Sequence, residues 1–191
     1  AKYLSWSLGA LISPSTEYEA YSSTINLSKQ AGVGYLRLDK SKVENINEKV
    51  ERFKIGKGRV LLDGSDYALI ACGGIFNEAI SAAHELNNKN ISCKVISMHT
   101  IKPMDNALIH NCVKNLKGII SLEEGNITGG MGSAILEVCL NTGKFPLKMK
   151  MLGIKDEYIS IVGSQKYLRD SVGISKKFIV DAILEMDRLW K

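Results

Sequence analysis

The sequence predicts an α/β fold in three layers, a mostly parallel sheet with helices on both faces, and three observations carry that prediction. Short apolar runs recur through the second half of the chain, at residues 67–73, 93–98, 119–122 and 147–152. Between them lie segments whose apolar residues return at helical spacing, at 76–87, 103–116 and 133–140. The run at 67–73 is continuously apolar rather than alternating, as a strand covered on both faces is. Strands alternating with helices at this interval need crossover connections, which make the strands parallel.

Taken in order, residues 9–13 form a buried strand stopped by Pro14, whose ring removes a donor and fixes φ. Ser15 or Thr16 caps the helix of 17–30, which Ala31-Gly32 ends. Residues 34–38 form a second strand, with Tyr35 and Arg37 on one face and Leu36 and Leu38 on the other. A strand–helix–strand unit cannot enclose a core alone, so it reads as the end of a domain whose body lies upstream. From Asp39 to Arg52 the chain is at its most charged and least periodic, and 41–52 is the linker candidate. Residues 53–64 read as a turn and an edge strand. Phe76, Ala79, Ile80, Ala83 and Leu86 make one helical stripe. Pro103 marks the first turn of a helix whose face is Leu108, Ile109, Cys112, Val113 and Leu116. A short helix at 166–170 precedes a longer one at 174–190, whose apolar face is Phe178, Ile179, Ala182, Ile183, Met186 and Trp190.

With 191 residues and 45% hydrophobic content, the chain can bury one ordinary domain plus some extra material. No apolar run approaches the roughly 20 residues that span a bilayer, and residues 1–10 lack a basic start followed by an apolar core. A cytoplasmic location with no membrane partner is expected. The net charge of +5 is dispersed, apart from Lys144, Lys148 and Lys150 and the pair Lys176-Lys177. Without basic residues interleaved with aromatic ones, nucleic acid is not an expected partner. Cys72, Cys93, Cys112 and Cys139 are widely spaced in apolar contexts with no C-x-x-C, so buried reduced thiols are expected rather than metal ligands or disulfides. The chain does not begin with Met and opens within an apolar pattern, which is expected of one piece of a larger enzyme.

Residues 119–132 concentrate the functional signal. An apolar run ends in Glu123 and Glu124, a polar turn comes next, and Gly129, Gly130 and Gly132 open a helix. Carboxyl ends of strands are where sites gather in parallel sheets. The glycines invite a phosphate loop, but Ile135 stands where a dinucleotide fingerprint has Gly or Ala, and there is no Walker lysine. One of the two carboxylates can reach the helix terminus itself and repel an anion. Successive strand residues point to opposite faces, so at most one glutamate is catalytic and the other is solvated or pairs across an interface. A structural turn or subunit contact at Glu123, Glu124, Gly129 and Gly130 is the preferred reading. His84 and His110 are expected to face solvent, and His99, at the end of a strand, is the only histidine placed near the tip. No Ser or Cys shows a nucleophile arrangement, so no catalytic residue is assigned. Arg37, at the end of a strand, suits bidentate phosphate recognition, with a surface ion pair as its alternative.

Together, Gly34-Tyr-Leu-Arg-Leu-Asp-Lys40, Phe53-x-Ile-Gly-Lys57, Leu62-Asp-Gly64, Ile101-Lys-Pro-Met-Asp105, Leu122-Glu-Glu-Gly125 and Gly129-Gly-Met-Gly132 resemble the C-terminal part of the transketolase family. That family includes 1-deoxyxylulose-5-phosphate synthases and the beta subunits of 2-oxo acid dehydrogenases. Each motif is weak alone; in this order, from about Leu11 onward, they are specific to the superfamily. The residues after Arg37 are closer to transketolase than to the synthase, whose segment has an aromatic residue and a proline after the arginine.

The resemblance implies that residues 1–40 end a pyrimidine-binding domain, 41–52 link, and 53–191 form the transketolase C-terminal domain, a five-stranded mixed sheet with its first strand antiparallel. It further implies a homodimer, thiamine diphosphate and Mg²⁺ in the complete enzyme, two-carbon ketol transfer between sugar phosphates, and Arg37 on the substrate phosphate. The Gly-Asp-Gly motif for Mg²⁺ and diphosphate and the region of the cofactor-activating glutamate are not in this stretch, and Glu17 and Glu19 lie in the wrong segment to supply the latter. The chain alone is therefore expected to bind no cofactor or metal, to be inactive, and to work with an N-terminal transketolase portion in cis or trans. A stand-alone dimerisation or regulatory module, or part of a synthase or dehydrogenase beta subunit, is the alternative.

Overall fold

The computed structural model describes residues 9–40 and 53–188; the expected linker at 41–52 and Trp190 lie outside the described residues. The first unit is β1 (Ala10–Ile12), α1 (Glu17–Lys29) and β2 (Gly34–Leu36), with the two strands parallel. Thr16 caps α1, its hydroxyl accepting from the Glu19 amide at 3.2 Å. The chain continues through β3 (Arg59–Leu62), β4 (Tyr67–Cys72), α2 (Phe76–Asn87), β5 (Cys93–Ser97) and β6 (Thr100–Lys102). It closes with α3 (Asn106–Asn115), β7 (Gly118–Asn126), α4 (Met131–Thr142), β8 (Met149–Ile154), α5 (Gln165–Ser171) and α6 (Lys176–Arg188).

A five-stranded sheet in the order β3-β5-β4-β7-β8 forms the body. β3 runs antiparallel to β5, and every other neighbouring pair is parallel. This is the mixed three-layer α/β/α arrangement that the sequence and its resemblance lead one to expect. The centre of the sheet explains the unbroken apolar run: all of β4 is buried. Tyr67, Leu69 and Ala71 pack with α2 and α6, whereas Ala68, Ile70 and Cys72 pack with α3 and α4. All four cysteines are buried free thiols. Among the described residues no helix is long and apolar enough to cross a membrane.

Three elements correct the sequence reading. Pro103 does not lie in the first turn of a helix: α3 starts at Asn106, with the Asp105 carboxylate accepting from the Leu108 amide at 3.2 Å. Thr100–Lys102 is instead a strand, followed by a cis Lys102–Pro103 bond, and it pairs antiparallel with β1 of the first unit. That pairing spans about 90 residues of chain, beyond what local periodicity can register. β7 does not stop at Leu122 but runs to Asn126, so both glutamates lie within the strand. Its register with β8 shifts between Leu122 and Asn126, so three residues of β7 face Gly153 alone.

Candidate functional site

The order of the sheet decides where a ligand can sit. β4 connects through α2 to β5 on one side, and the chain then crosses to β7 on the other. The carboxyl ends of β4 and β7 therefore meet at a topological switch point, where open α/β sheets hold ligands. A cleft of about 480 Å³ opens there, with Ser13, Tyr35 and Arg37 of the first unit facing Cys72, Glu124 and Gly130.

Glu123 is buried at the tip of β7. Its Oε2 accepts from the Met131 amide at 2.8 Å and its Oε1 from the Gly132 amide at 3.0 Å. The carboxylate thus occupies the N-terminal amides of α4, the place where a bound phosphate would otherwise sit. Gly130 permits the approach, because a Cβ there would run into the Glu123 carboxylate and the Asn126 carbonyl. Gly129 makes the preceding turn at φ 74°. Burial lifts the Glu123 pKa, opposed by the amides of Gly132 and Met131 and then by Arg37.

Glu124 points to the opposite face, as strand alternation requires. It is not left in solvent: its Oε1 accepts from Arg169 Nε at 2.6 Å and from Gln165 Nε2 at 3.2 Å, both on α5. Arg169 Nη1 also lies 3.5 Å from Glu78, and Glu78 in turn accepts from the Lys176 amide at the start of α6. One arginine therefore ties the tip of β7 to α2 and α6. Arg37 is exposed at the mouth of the cleft, and its Nη2 donates to the Glu124 carbonyl at 3.2 Å. Among the described residues no carboxylate forms an ion pair with it.

His99 does not line the cleft. Its ring is fully buried and stacks on Phe53 with centroids 4.4 Å apart, while Nδ1 lies 2.9 Å from Thr100 Oγ1. Burial, helped by the charge of Arg59, pushes its pKa down to about 4. The unfolded chain therefore binds the extra proton between about pH 6.5 and 4, and stability present above pH 6.5 falls on acidification by on the order of 3 kcal/mol. The carboxyls of Glu19 and Glu123, raised chiefly by burial, act in the opposite sense. His99→Gln is accordingly expected to lose the acid-side fall in urea midpoint relative to the parent; the same slope in both proteins would refute the assignment. His84 is exposed as expected. His110 is not fully solvent-facing, because α3 packs against α4 and brings its Nε2 to 3.0 Å from Thr142 Oγ1.

Sequence reasoning missed the polar seam beneath the cleft. Glu19, fully buried, accepts from the Ser15 amide at 2.8 Å, from Ser97 Oγ at 2.8 Å and from Arg59 Nη1 at 3.0 Å. Arg59 also lies over the Tyr18 ring at 5.0 Å. The available signal was the Thr16-x-x-Glu19 spacing of a capping box, which places the carboxylate at the helix start but says nothing of Arg59.

A switch-point cleft walled on one side by a separate strand–helix–strand unit, with the nearby helix terminus already filled by a carboxylate, defines the class as a mixed-sheet α/β/α domain. The chain belongs to the transketolase family, since the family model "Transketolase, C-terminal domain" matches residues 56–179. It is 35% identical over 156 residues to one of the subunits of the apulose-4-phosphate transketolase of Actinobacillus succinogenes, covering 82% of this chain and 50% of that one. It is 31% identical over 177 residues to a putative transketolase C-terminal section of Methanocaldococcus jannaschii, covering 92% and 54%. A solved split gene transketolase, described as an inactive beta4 tetramer, superimposes with a TM-score of 0.85 at 25% identity, covering 93% of this chain and 57% of that one. The chain thus spans about half the length of these relatives.

Proposed function

We propose that this chain is the C-terminal portion of a thiamine diphosphate-dependent transketolase that transfers a two-carbon ketol unit between sugar phosphates, with Arg37 binding the substrate phosphate. The observation that carries this reading is the placement of Arg37: an exposed guanidinium at a switch-point cleft, donating to a backbone carbonyl and in ion-pair contact with no carboxylate among the described residues. Guanidinium N–H groups in that state suit two phosphate oxygens at once. The Leu38-Asp39 after it favours transketolase over the synthase branch.

The described residues do not fit the cofactor's diphosphate or Mg²⁺. The amides of Met131 and Gly132 are taken by Glu123, and among the described residues no three His, Cys, Asp or Glu side chains converge on a metal position. An N-terminal portion, in cis or trans, would hold the cofactor. On this reading residues 1–40 end the pyrimidine-binding domain, 41–52 link and 53–191 form the C-terminal domain, in a cytoplasmic homodimer. The chain alone is inactive, a reading supported by the inactive tetramer described for the split gene relative. Tight stoichiometric binding of thiamine diphosphate to the isolated chain, seen by titration calorimetry, would overturn it.

Arg37→Met in the complete enzyme tests the site directly. The KM for a phosphorylated sugar is expected to rise about tenfold or more, since charge-assisted hydrogen bonds are lost. The KM for an unphosphorylated sugar should change much less, and an equal rise in both would count against the assignment.

A further inference from the structure

Between β8 and α5 the chain runs over the surface with a composition that belongs in a core. Residues 155–167 are exposed without interruption. Tyr158 and Val162 stand free in solvent, Ile159 and Ile161 are 40% and 39% exposed, and Tyr167 at the start of α5 is half exposed. Single apolar residues scattered over a surface are ordinary, whereas a contiguous run of them marks an interaction site. The backbone is unpaired as well: residues 158–163 lie in neither helix nor strand, and among the described residues no hydrogen bond involves them. Both ends are nonetheless anchored. Asp156 Oδ1 accepts from Asn126 Nδ2 at 2.9 Å, Ser164 Oγ accepts from the Tyr167 amide at 3.3 Å, and Gln165 donates to Glu124 at 3.2 Å. The segment thus offers free N–H and C=O groups and apolar side chains together, as an uncovered sheet edge does.

The order of its residues says what fits it. Tyr158-Ile159-Ser160-Ile161-Val162 has the same apolar pattern from either end, with Ser160 at the middle. Antiparallel pairing with a second copy about Ser160 sets Tyr158 opposite Val162 and Ile159 opposite Ile161, and the two-fold axis forms each of these apolar pairs twice. A slip of one residue in either direction would set an isoleucine against Ser160 and leave Tyr158 or Val162 facing Gly163 or Glu157, so the register is specified. The charges agree. Asp156 and Glu157 precede the segment and Lys166 follows it, and none of the three forms an ion pair among the described residues. Antiparallel pairing brings the acidic end of each copy beside Lys166 of the other, whereas parallel pairing would set like charges together.

We propose that residues 157–163 are a dimerisation strand, which pairs antiparallel with the same segment of a second copy of this chain about a two-fold axis at Ser160. Pairing satisfies the free backbone groups and covers the apolar side chains in one step. The contact lies beside the cleft, because Asn126, which holds Asp156, lines the cleft. This gives the proposed homodimer a face, and it holds independently of the role of Arg37.

Three measurements on the full chain test the face. By sedimentation equilibrium the chain is expected to be a dimer, and Val162→Lys, which alters a side chain already in solvent, is expected to raise the dimer Kd about tenfold or more, because an apolar pair is lost twice. At the axis of an antiparallel pair the two Cα atoms are about 4.5–5.5 Å apart, within the span of a disulfide. Ser160→Cys is therefore expected to give a covalent dimer under mild oxidation far faster than Ser28→Cys on the exposed side of α1, and the four native cysteines, being buried, do not compete. Hydrogen exchange at the amides of 158–163 is expected to slow as the chain dimerises. If the chain is a dimer but Val162→Lys leaves its Kd unchanged, or Ser160→Cys cross-links no faster than Ser28→Cys, the face is wrong and the homodimer reading stands. A chain that stays monomeric sinks both. Exchange that slows only when an N-terminal transketolase portion is added would assign the segment to that portion and overturn the self-pairing.

Discussion

Replacing Arg59 by Met is expected to destabilise the protein by about 3–5 kcal/mol, the largest effect of any single substitution considered for this chain. The guanidinium is nearly inaccessible, its side chain 4% exposed and its partner Glu19 0%. Met keeps much of the volume but removes the cation, leaving a carboxylate fully buried with only the Ser15 amide and the Ser97 hydroxyl as donors. Arg59 also brings β3 of the main sheet against α1 of the first unit, so the loss falls on the joint between them. Glu19→Gln on the Arg59→Met background is expected to restore part of the stability, because a neutral amide costs less to bury than an unpaired charge. Equilibrium urea unfolding of the three proteins measures this. A double variant no more stable than Arg59→Met would show that packing, rather than charge, holds the seam.

Arg169→Met is expected to cost about 3 kcal/mol, by the same physics in a less buried setting. The side chains of Arg169, Glu124 and Glu78 are 8%, 14% and 19% exposed, so the penalty is partly screened. Its position makes it consequential. The bulge in β7 leaves the Glu124 segment out of register with β8, and the contact at 2.6 Å fixes it from the other side. Hydrogen exchange should accordingly rise at the amides of 123–126 more than in β4; a uniform rise would argue for global destabilisation instead. Arg169→Lys preserves the charge but not the reach to two carboxylates, and should fall between Met and the parent.

The main sheet was legible because its signal is local. β4, α2, β5 and α4 derive from apolar runs and stripes only a few residues long, and the two-sided burial of β4 appears directly as an unbroken apolar segment. Strand alternation likewise separated Glu123 from Glu124, and the glycines marked the close approach of a strand tip to a helix start. The partners were not legible. Nothing in the periodicity around Glu124 points to Arg169, 45 residues on, nor does anything near Glu19 point to Arg59, 40 residues on. His99 sits after a strand, which drew it toward the carboxylate tip, yet the pairing of β6 with β1 carries it under the first unit and against Phe53.

By itself, the sequence determined the layers, the strands and helices of the main sheet, and the family to which the chain belongs, since these rest on spacing within one element and on the order of short motifs. The tertiary structure alone decided which atoms meet at the cleft: Arg37 on the Glu124 carbonyl, and Glu123 filling the α4 terminus. Elements form from neighbours along the chain, whereas a site forms where strand order brings distant segments together. That order, and the docking of β1 on β6, depends on which long-range pairings bury the most apolar surface without stranding a polar group.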